Sequence, residues 1–325
     1  MPLAKEKIKI GMVYMGNPFQ ESSGSSYAHQ LGIMEMKRKL NLEDSQILYK
    51  TNVDDRDPQG IESAIRELIS AEVNIIIATA EGYAETCAHL AEEYPDVVFA
   101  QVYAYVCNGT NLTDFYGRVY QARYLSGVVA GQKTATNKIG YVASMGKNSS
   151  QVISELNAFA LGVEKANPEA KVFVKVTHSW HDPAGETLAA RELINADCDI
   201  IAQHCDTPAP QVEAERAGKM GIGYNTDMSI NARKAVLTSI LLRWGVYYTN
   251  LVFSVMNGTF VAEPYFGSMK DGMVELAPLN ESIVWEPETI HLLMEERKRI
   301  ETGAFDAFIG IHSSTEVYYR TVVEL

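Results

Sequence analysis

The sequence has no apolar run near the roughly 18 residues that a membrane-spanning helix needs, so no span is expected. It is also short of positive charge. Lys and Arg number 28 against 41 Asp and Glu, a net charge of −13. An electrostatic grip on nucleic acid or anionic lipid is therefore excluded as a working principle. Only four cysteines occur, Cys87, Cys107, Cys198 and Cys205, and none forms a CxxC pair. That spacing suits buried free thiols rather than a disulfide framework or a metal knuckle. GxGxxG, Walker and GxSxG patterns are missing, and "GNPFQESSGSS" (16–26) reads as a loop without a phosphate cradle. No nucleophile–base constellation is evident, so no catalytic residue, metal or cofactor is expected and the chain does not read as an enzyme.

What the chain does have is length and apolar content for two cores. It holds 325 residues, 46% of them hydrophobic, which suits two domains of about 150 residues. "IKIGMVYMG" (8–16) is a buried strand ending in Gly, and "YAHQLGIMEMKRKL" (27–40) is a helix with Leu31, Met34 and Leu40 on one side. A helix (61–71), a strand (73–80), a helix (84–94) and a strand (96–102) follow. Such alternation predicts an α/β fold, a doubly wound parallel sheet covered by helices on both faces.

The pattern then restarts. "KIGYVASMG" (138–146) echoes "KIGMVYMG" (9–16), with Ile139-Gly140 matching Ile10-Gly11. "DCDIIAQHCD" (197–206) echoes "EVNIIIATAE" (72–81). This is a diverged internal duplication, which predicts two similar lobes. Open α/β sheets bind ligands beyond the carboxyl ends of their strands, so two such lobes imply an interlobe cleft lined by both sets of ends.

"THSWHDPAGE" (177–186) follows a strand of the second lobe. Asp182-Pro183 is an expected helix start, with Asp182 as cap. Trp180 is expected to face the cleft. His178 and His181, three apart in an extended segment, fall on opposite faces, and His204 lies on another strand end, so no three-histidine metal site is expected. Aromatics and hydrogen-bonding side chains recur at the strand ends instead. They are Phe19, Ser25, Ser26 and Tyr27 after the first strand, Glu81 and Tyr83 after the strand at 73–80, and Tyr103 after the strand at 96–102. The second lobe supplies Trp180, His204, Asp206, Asn225 and Asp227. Aromatic walls beside carboxylate acceptors suit a flat ligand rich in N–H groups.

Several segments carry a family resemblance: "GSSYAHQLG" (24–32), "YQARYLSGVVAG" (120–131), "NKIGYVAS" (137–144), "SWHDPAGE" (179–186), "DIIAQHCDTPAP" (199–210), "IGYNTDMS" (222–229), "LTSILLRWGVYYT" (237–249) and "KDGMVELAP" (270–278). The chain resembles the basic membrane protein family of solute-binding proteins, which includes the purine nucleoside receptors of ABC importers. The resemblance implies a type I periplasmic-binding-protein fold whose two lobes, 1–114 plus 238–270 and 115–237 plus 271–325, are joined by three hinge crossings. It also implies a purine ligand held by lobe closure and a membrane permease as partner. By position, Trp180 matches the aromatic that stacks on the base. Asp206 and Asp227 match acidic residues of the same pocket, and Ser25–Ser26 a base-contacting loop.

Two departures bear on specificity. Relatives with "YAHxxG" usually read Gly-Trp before it, where this chain has Gly24-Ser25, and Phe19 is the candidate replacement wall. Nucleoside-binding members carry a Lys after the "TS" of a late strand, where this chain has Leu242. A nucleobase such as adenine is therefore favoured over a nucleoside. An extracytoplasmic location is expected if a leader was removed ahead of residue 1, and a cytoplasmic one if Met1 is the native start. In the latter case the alternative is a ligand sensor or regulator with the same fold. The tail "AFIGIHSSTEVYYRTVVEL" (307–325) departs from the family.

Overall fold

The computed structural model describes residues 2–103, 105–307 and 318–325. The chain opens with β1 (Ile10–Val13), α1 (Gly24–Leu40), β2 (Ile47–Lys50), α2 (Pro58–Ser70), β3 (Ile75–Ala78), α3 (Ala84–Glu93), β4 (Val98–Val102) and β5 (Leu112–Gly117). It continues with α4 (Val119–Lys133), β6 (Lys138–Ala143), α5 (Ser150–Ala166), β7 (Lys171–Val176), α6 (Pro183–Asn195), β8 (Ile200–Gln203), α7 (Ala209–Arg216), β9 (Met220–Gly223) and β10 (Val236–Leu242). The last elements are α8 (Trp244–Asn257), β11 (Tyr265–Gly267), β12 (Val274–Leu276), α9 (Pro287–Glu301) and β13 (Val322–Glu324).

Two compact units result. The first comprises Met1–Ser22, Ser26–Gly117 and Arg243–Gly267; the second comprises Ser23–Ser25, Arg118–Leu242 and Ser268–Leu325. On this division β10 belongs to the second unit to its last residue, Leu242, whereas the sequence reading ended that stretch at 237. The first unit holds a six-stranded sheet in the order β11-β5-β4-β3-β1-β2, with each pairing parallel. The second holds a seven-stranded sheet, β12-β10-β9-β8-β6-β7-β13, parallel except for the β10–β12 pair. The order β2-β1-β3-β4-β5 recurs as β7-β6-β8-β9-β10, so the sequence echo is a topological one.

The matched glycines show why the echo persists. A Cβ on Gly11 would sit 2.9 Å from Leu68 Cδ1 of α2 and 3.0 Å from Ile76 Cδ1 of β3. One on Gly140 would sit 3.0 Å from Leu193 Cβ of α6 and 2.9 Å from Ile201 Cδ1 of β8. In each unit a glycine on the central strand lets a helix close onto the sheet. Leu68, Ile76 and Phe99 lie in the core of the first unit, and Val142, Leu193 and Ile201 in that of the second.

Two further features position side chains. Helices α4 and α5 touch backbone to backbone: a Cβ on Gly127 would overlap the Phe159 carbonyl oxygen, and one on Gly162 the Tyr124 carbonyl oxygen. This contact brings Arg123 of α4 against Glu155 of α5. Helix α1 corrects an expectation. Leu31 and Met34 are exposed, while the buried face runs through His29, Ile33 and Met36. The spacing i, i+4, i+7 makes that face continuous, and Gly32 lets α8 approach it, since a Cβ there would lie 2.6 Å from Trp244 Cβ. The tail contributes β13, which extends the second sheet beside β7; residues 308–317 lie outside the described residues.

Candidate ligand-binding site

In the second unit the strand ends of β7, β8 and β9 carry a connected set of side chains. Trp180, half-buried, sits in the loop between β7 and α6. Its carbonyl accepts a 2.9 Å hydrogen bond from Asp206 N, which joins the ends of β7 and β8. Asp206 is buried, and its Oδ1 accepts from Asn225 Nδ2 at 2.8 Å and from Ser25 N at 3.1 Å. Ser23 Oγ donates to the Asp206 carbonyl at 3.0 Å. Asn225 has a left-handed backbone, φ 65°, a conformation that Asn tolerates better than most residues. Trp180, Asp206, Asn225 and Ser25 thus form one cluster. Asp227 serves locally as well: its Oδ1 accepts from Ser229 N at 3.0 Å and caps a short 3-10 turn.

The loop carrying Trp180 is held at both ends. Asp182 Oδ1 accepts from Gly185 N, the expected cap, and Asp182 N donates to Glu186 Oε1. Glu186 is fully buried, its Oε2 accepts from Thr207 Oγ1, and burial raises its carboxyl above the usual range. His178 and His181 are both exposed, and the described residues include no group of His, Cys, Asp and Glu placed to hold a metal. All four cysteines are free, and all but Cys107 are buried.

Beneath Trp180 lies a layer of buried polar groups. His204 is fully buried with its ring edge-on to Trp180, centroids 5.3 Å apart at 88°, and edge-on to Tyr224 at 4.8 Å and 86°. Its Nε2 lies 3.2 Å from Glu155 Oε2, but neither ring nitrogen makes a well-aligned hydrogen bond. Arg123 Nε donates to Glu155 Oε2 at 2.9 Å and its Nη1 to the Gln203 carbonyl at 2.8 Å. The Arg123 guanidinium also stands 4.2 Å from the Tyr224 ring centroid, a cation–π contact. Burial, and after it the Arg123 charge, push the His204 pKa well below its ordinary value, so the ring is neutral. Burial pushes the Glu155 carboxyl up against the opposing pull of Arg123. Arg123 and Glu155 escaped the sequence reading. The one available signal was a charged residue within the mostly buried stretch of each helix, Arg123 in α4 and Glu155 in α5.

In the first unit the candidates are more dispersed. Ser26 Oγ accepts from Gly16 N at 3.1 Å and ties the first turn of α1 to the end of β1. Phe19 is exposed, with its ring 5.1 Å from Tyr49 and edge-on to it. Phe19 and Tyr27 line a groove of about 1180 Å³ along α1, together with Tyr49, Leu31 and Met34. Glu81 and Tyr103 are not among its lining residues. Glu81 is exposed in a 3-10 turn. Tyr103 has φ 49° and packs 4.5 Å from Tyr116 and 5.4 Å from Tyr105. Leu242 is buried at the last position of β10, and Arg243 pairs with Glu35 at 3.2 Å. Within α1, His29 stacks on Trp244 at 4.2 Å, and its Nδ1 lies 2.5 Å from the Tyr248 hydroxyl.

Comparison with known proteins bears on this arrangement. A family model described as ABC transporter substrate-binding protein, PnrA-like (Bmp), matches residues 7–304. The chain belongs to the Bmp family. A purine-binding protein of Brucella abortus is similar to this Bmp-family protein at 30% identity over 308 residues, 94% of this chain and 85% of that one. A putative ABC transporter glucose-binding protein of Haloferax volcanii is 34% identical over 256 residues, 78% of this chain and 65% of that one. Among solved structures, an ABC transporter solute-binding protein from Conexibacter woesei superposes with a TM-score of 0.77 at 18% identity, covering 92% of this chain and 98% of that one. A transcriptional activator of the comK gene from Bacillus halodurans gives 0.76 at 22%, covering 91% and 99%. These likenesses show the fold, that of type I periplasmic binding proteins.

The Bmp family consists of ABC transporter substrate-binding proteins, which bind small-molecule ligands and work with a membrane permease. Such proteins are generally extracytoplasmic, and no helix among the described residues of this Bmp-family protein is long and apolar enough to cross a membrane.

Proposed function

We propose that this protein captures a purine for an ABC importer, and that it prefers a free nucleobase such as adenine to the nucleoside. The observation that carries this reading is the cluster at the strand ends of the second unit. The half-buried Trp180 indole offers a stacking face, and Asp206 and Asn225 beside it offer an acceptor and an amide for the N–H and ring-nitrogen edge of a base. The purine-binding relative from Brucella supports the ligand class. Ser26, Tyr27, Phe19, Glu81 and Tyr103 are the residues proposed to contact the ligand from the first lobe's strand ends, with Ser25 in the Trp180 cluster and Asp227 bordering it. The three chain crossings are proposed as the hinge on which the lobes close, so that capture is conformational and breaks no bond. Leu242 is buried and apolar where nucleoside-binding members carry a lysine, which removes a donor to ribose hydroxyls.

A sugar is the second reading, favoured by the name of the Haloferax relative. Carboxylate and amide groups beside an indole would suit a sugar's hydroxyls and apolar face as well. The test is to strip the purified protein of ligand and follow melting with adenine, adenosine and glucose in turn. A ligand at about 100 times its dissociation constant adds roughly 2.7 kcal/mol. Adenine should raise the melting temperature and be recovered intact by chromatography. A rise with glucose alone, or recovery of a cleaved or deaminated purine, would overturn the reading.

A further inference from the structure

We propose that His204 is a positioning residue: its ring, set edge-on behind Trp180, fixes the orientation of the indole on which the ligand stacks. The consequence for affinity rests on the purine reading above, whereas the orientation of Trp180 does not. The hydrogen bonds that hold the Trp180 loop reach its backbone, from Asp206 N to the Trp180 carbonyl and from Thr177 Oγ1 to the Ser179 carbonyl. They set where the loop runs and leave the indole's torsions to packing. Among the described ring contacts, the aromatic neighbour of that indole is His204, its ring perpendicular to it. It is itself locked: its backbone N donates to the Val142 carbonyl at 2.8 Å, and its ring is enclosed by Tyr224, Tyr141 and Glu155.

Behind His204 the layer is stiff. Arg123 bridges Glu155 of α5 and the Gln203 carbonyl of β8, and its guanidinium covers Tyr224 at the end of β9. The path from the α4–α5 crossing to the stacking wall is therefore continuous: Arg123, Glu155 and Tyr224, then His204, then Trp180. The histidine carries a cost that packing alone does not require. It is fully buried, and neither ring nitrogen has a well-aligned partner. Polar groups left in that state concentrate where a site needs them. What the position demands is a flat, rigid ring presented edge-on, because edge-to-face contact orients an aromatic partner where an aliphatic side chain only fills volume.

The test compares His204→Leu, which fills the space without a planar edge, with His204→Phe, which keeps the edge. The full chain is labelled with 5-fluorotryptophan, which gives one fluorine resonance for each of the three tryptophans, Trp180, Trp244 and Trp285. Trp180→Phe assigns the first. In ligand-free protein, His204→Leu should shift or broaden the Trp180 resonance and leave the other two in place, while His204→Phe should leave all three nearly unchanged. Adenine binding should weaken about tenfold in His204→Leu, a share of what base stacking contributes, and stay within about threefold in His204→Phe. An unchanged Trp180 resonance in His204→Leu would overturn the proposal, as would equal losses of affinity in both variants. If wild type binds no purine, the purine reading fails, and the ligand-free fluorine spectra still decide the role of His204.

Discussion

Glu155→Gln is the substitution whose effect follows most directly from the geometry. It keeps the shape of the side chain and removes the only charge that the described contacts set against Arg123. The Arg123 and Glu155 side chains are 0% and 3% exposed, so water cannot replace the lost partner. Breaking a buried ion pair on one side costs about 3–5 kcal/mol. Arg123 keeps its bond to the Gln203 carbonyl and its contact with Tyr224, and a glutamine oxygen can still accept from Nε. These retained contacts put the expected loss at the lower end, about 3 kcal/mol. For a unit of this size that corresponds to a fall in melting temperature of roughly 6–12 °C, followed by far-UV circular dichroism. The double variant Arg123→Met with Glu155→Leu removes both charges and should recover most of the loss, because paired burial of two ions gains little over apolar packing. A single variant that costs less than about 1 kcal/mol, or a double variant less stable than the single one, would refute the claim that the pair is desolvated and mutually dependent.

Trp180→Ala should weaken purine binding roughly ten- to a hundredfold by titration calorimetry, with the circular dichroism spectrum unchanged, since base–aromatic stacking contributes about 1–3 kcal/mol; a normal affinity would remove Trp180 from the site. His29 and His204 should make the fold acid-labile. Burial lowers His29 from 6.5 to about 3, and burial with Arg123 lowers His204 well below 6.5, so both take up a proton only on unfolding near neutral pH. Their stabilisation is full above about pH 6.5 and is lost as pH falls through each folded-state pKa, about 3 for His29, with a slope of about 1.4 kcal/mol per pH unit from each. Urea midpoints should fall from pH 6.5 to 5, and less steeply in His204→Phe; a flat profile over that range would contradict the buried, neutral assignment.

Much of the architecture was legible because it depends on short-range chemistry. The alternation of apolar runs and helical spacing marked the strands, and the Ile-Gly echo marked the two units, since Gly11 and Gly140 do the same work against α2 and α6. Asp182-Pro183 gave a helix start, and its side chain makes the bond that a cap requires. The face of α1 was misread because its buried stripe runs through a histidine and a glycine, His29 and Gly32, which hydropathy does not mark. The layer under Trp180 was hidden for a different reason. Arg123, Glu155 and His204 lie on three elements far apart in sequence, and nothing local pairs them. The strand-end candidates were named from residue type and position alone, and their local bonds were not legible. Asp206 is a hub for Asn225, Ser25 and the Trp180 carbonyl, and Asp227 caps a turn.

The proposal of a nucleobase-binding protein is tested most directly by titration calorimetry of ligand-stripped protein with adenine and with adenosine under one set of conditions. A ribose hydroxyl buried without a partner costs about 1–3 kcal/mol, and Leu242 offers none. Adenine should therefore bind at least about tenfold more tightly than adenosine. Adenosine binding as tightly or more tightly would contradict the base preference, and the absence of binding by either would contradict purine capture itself.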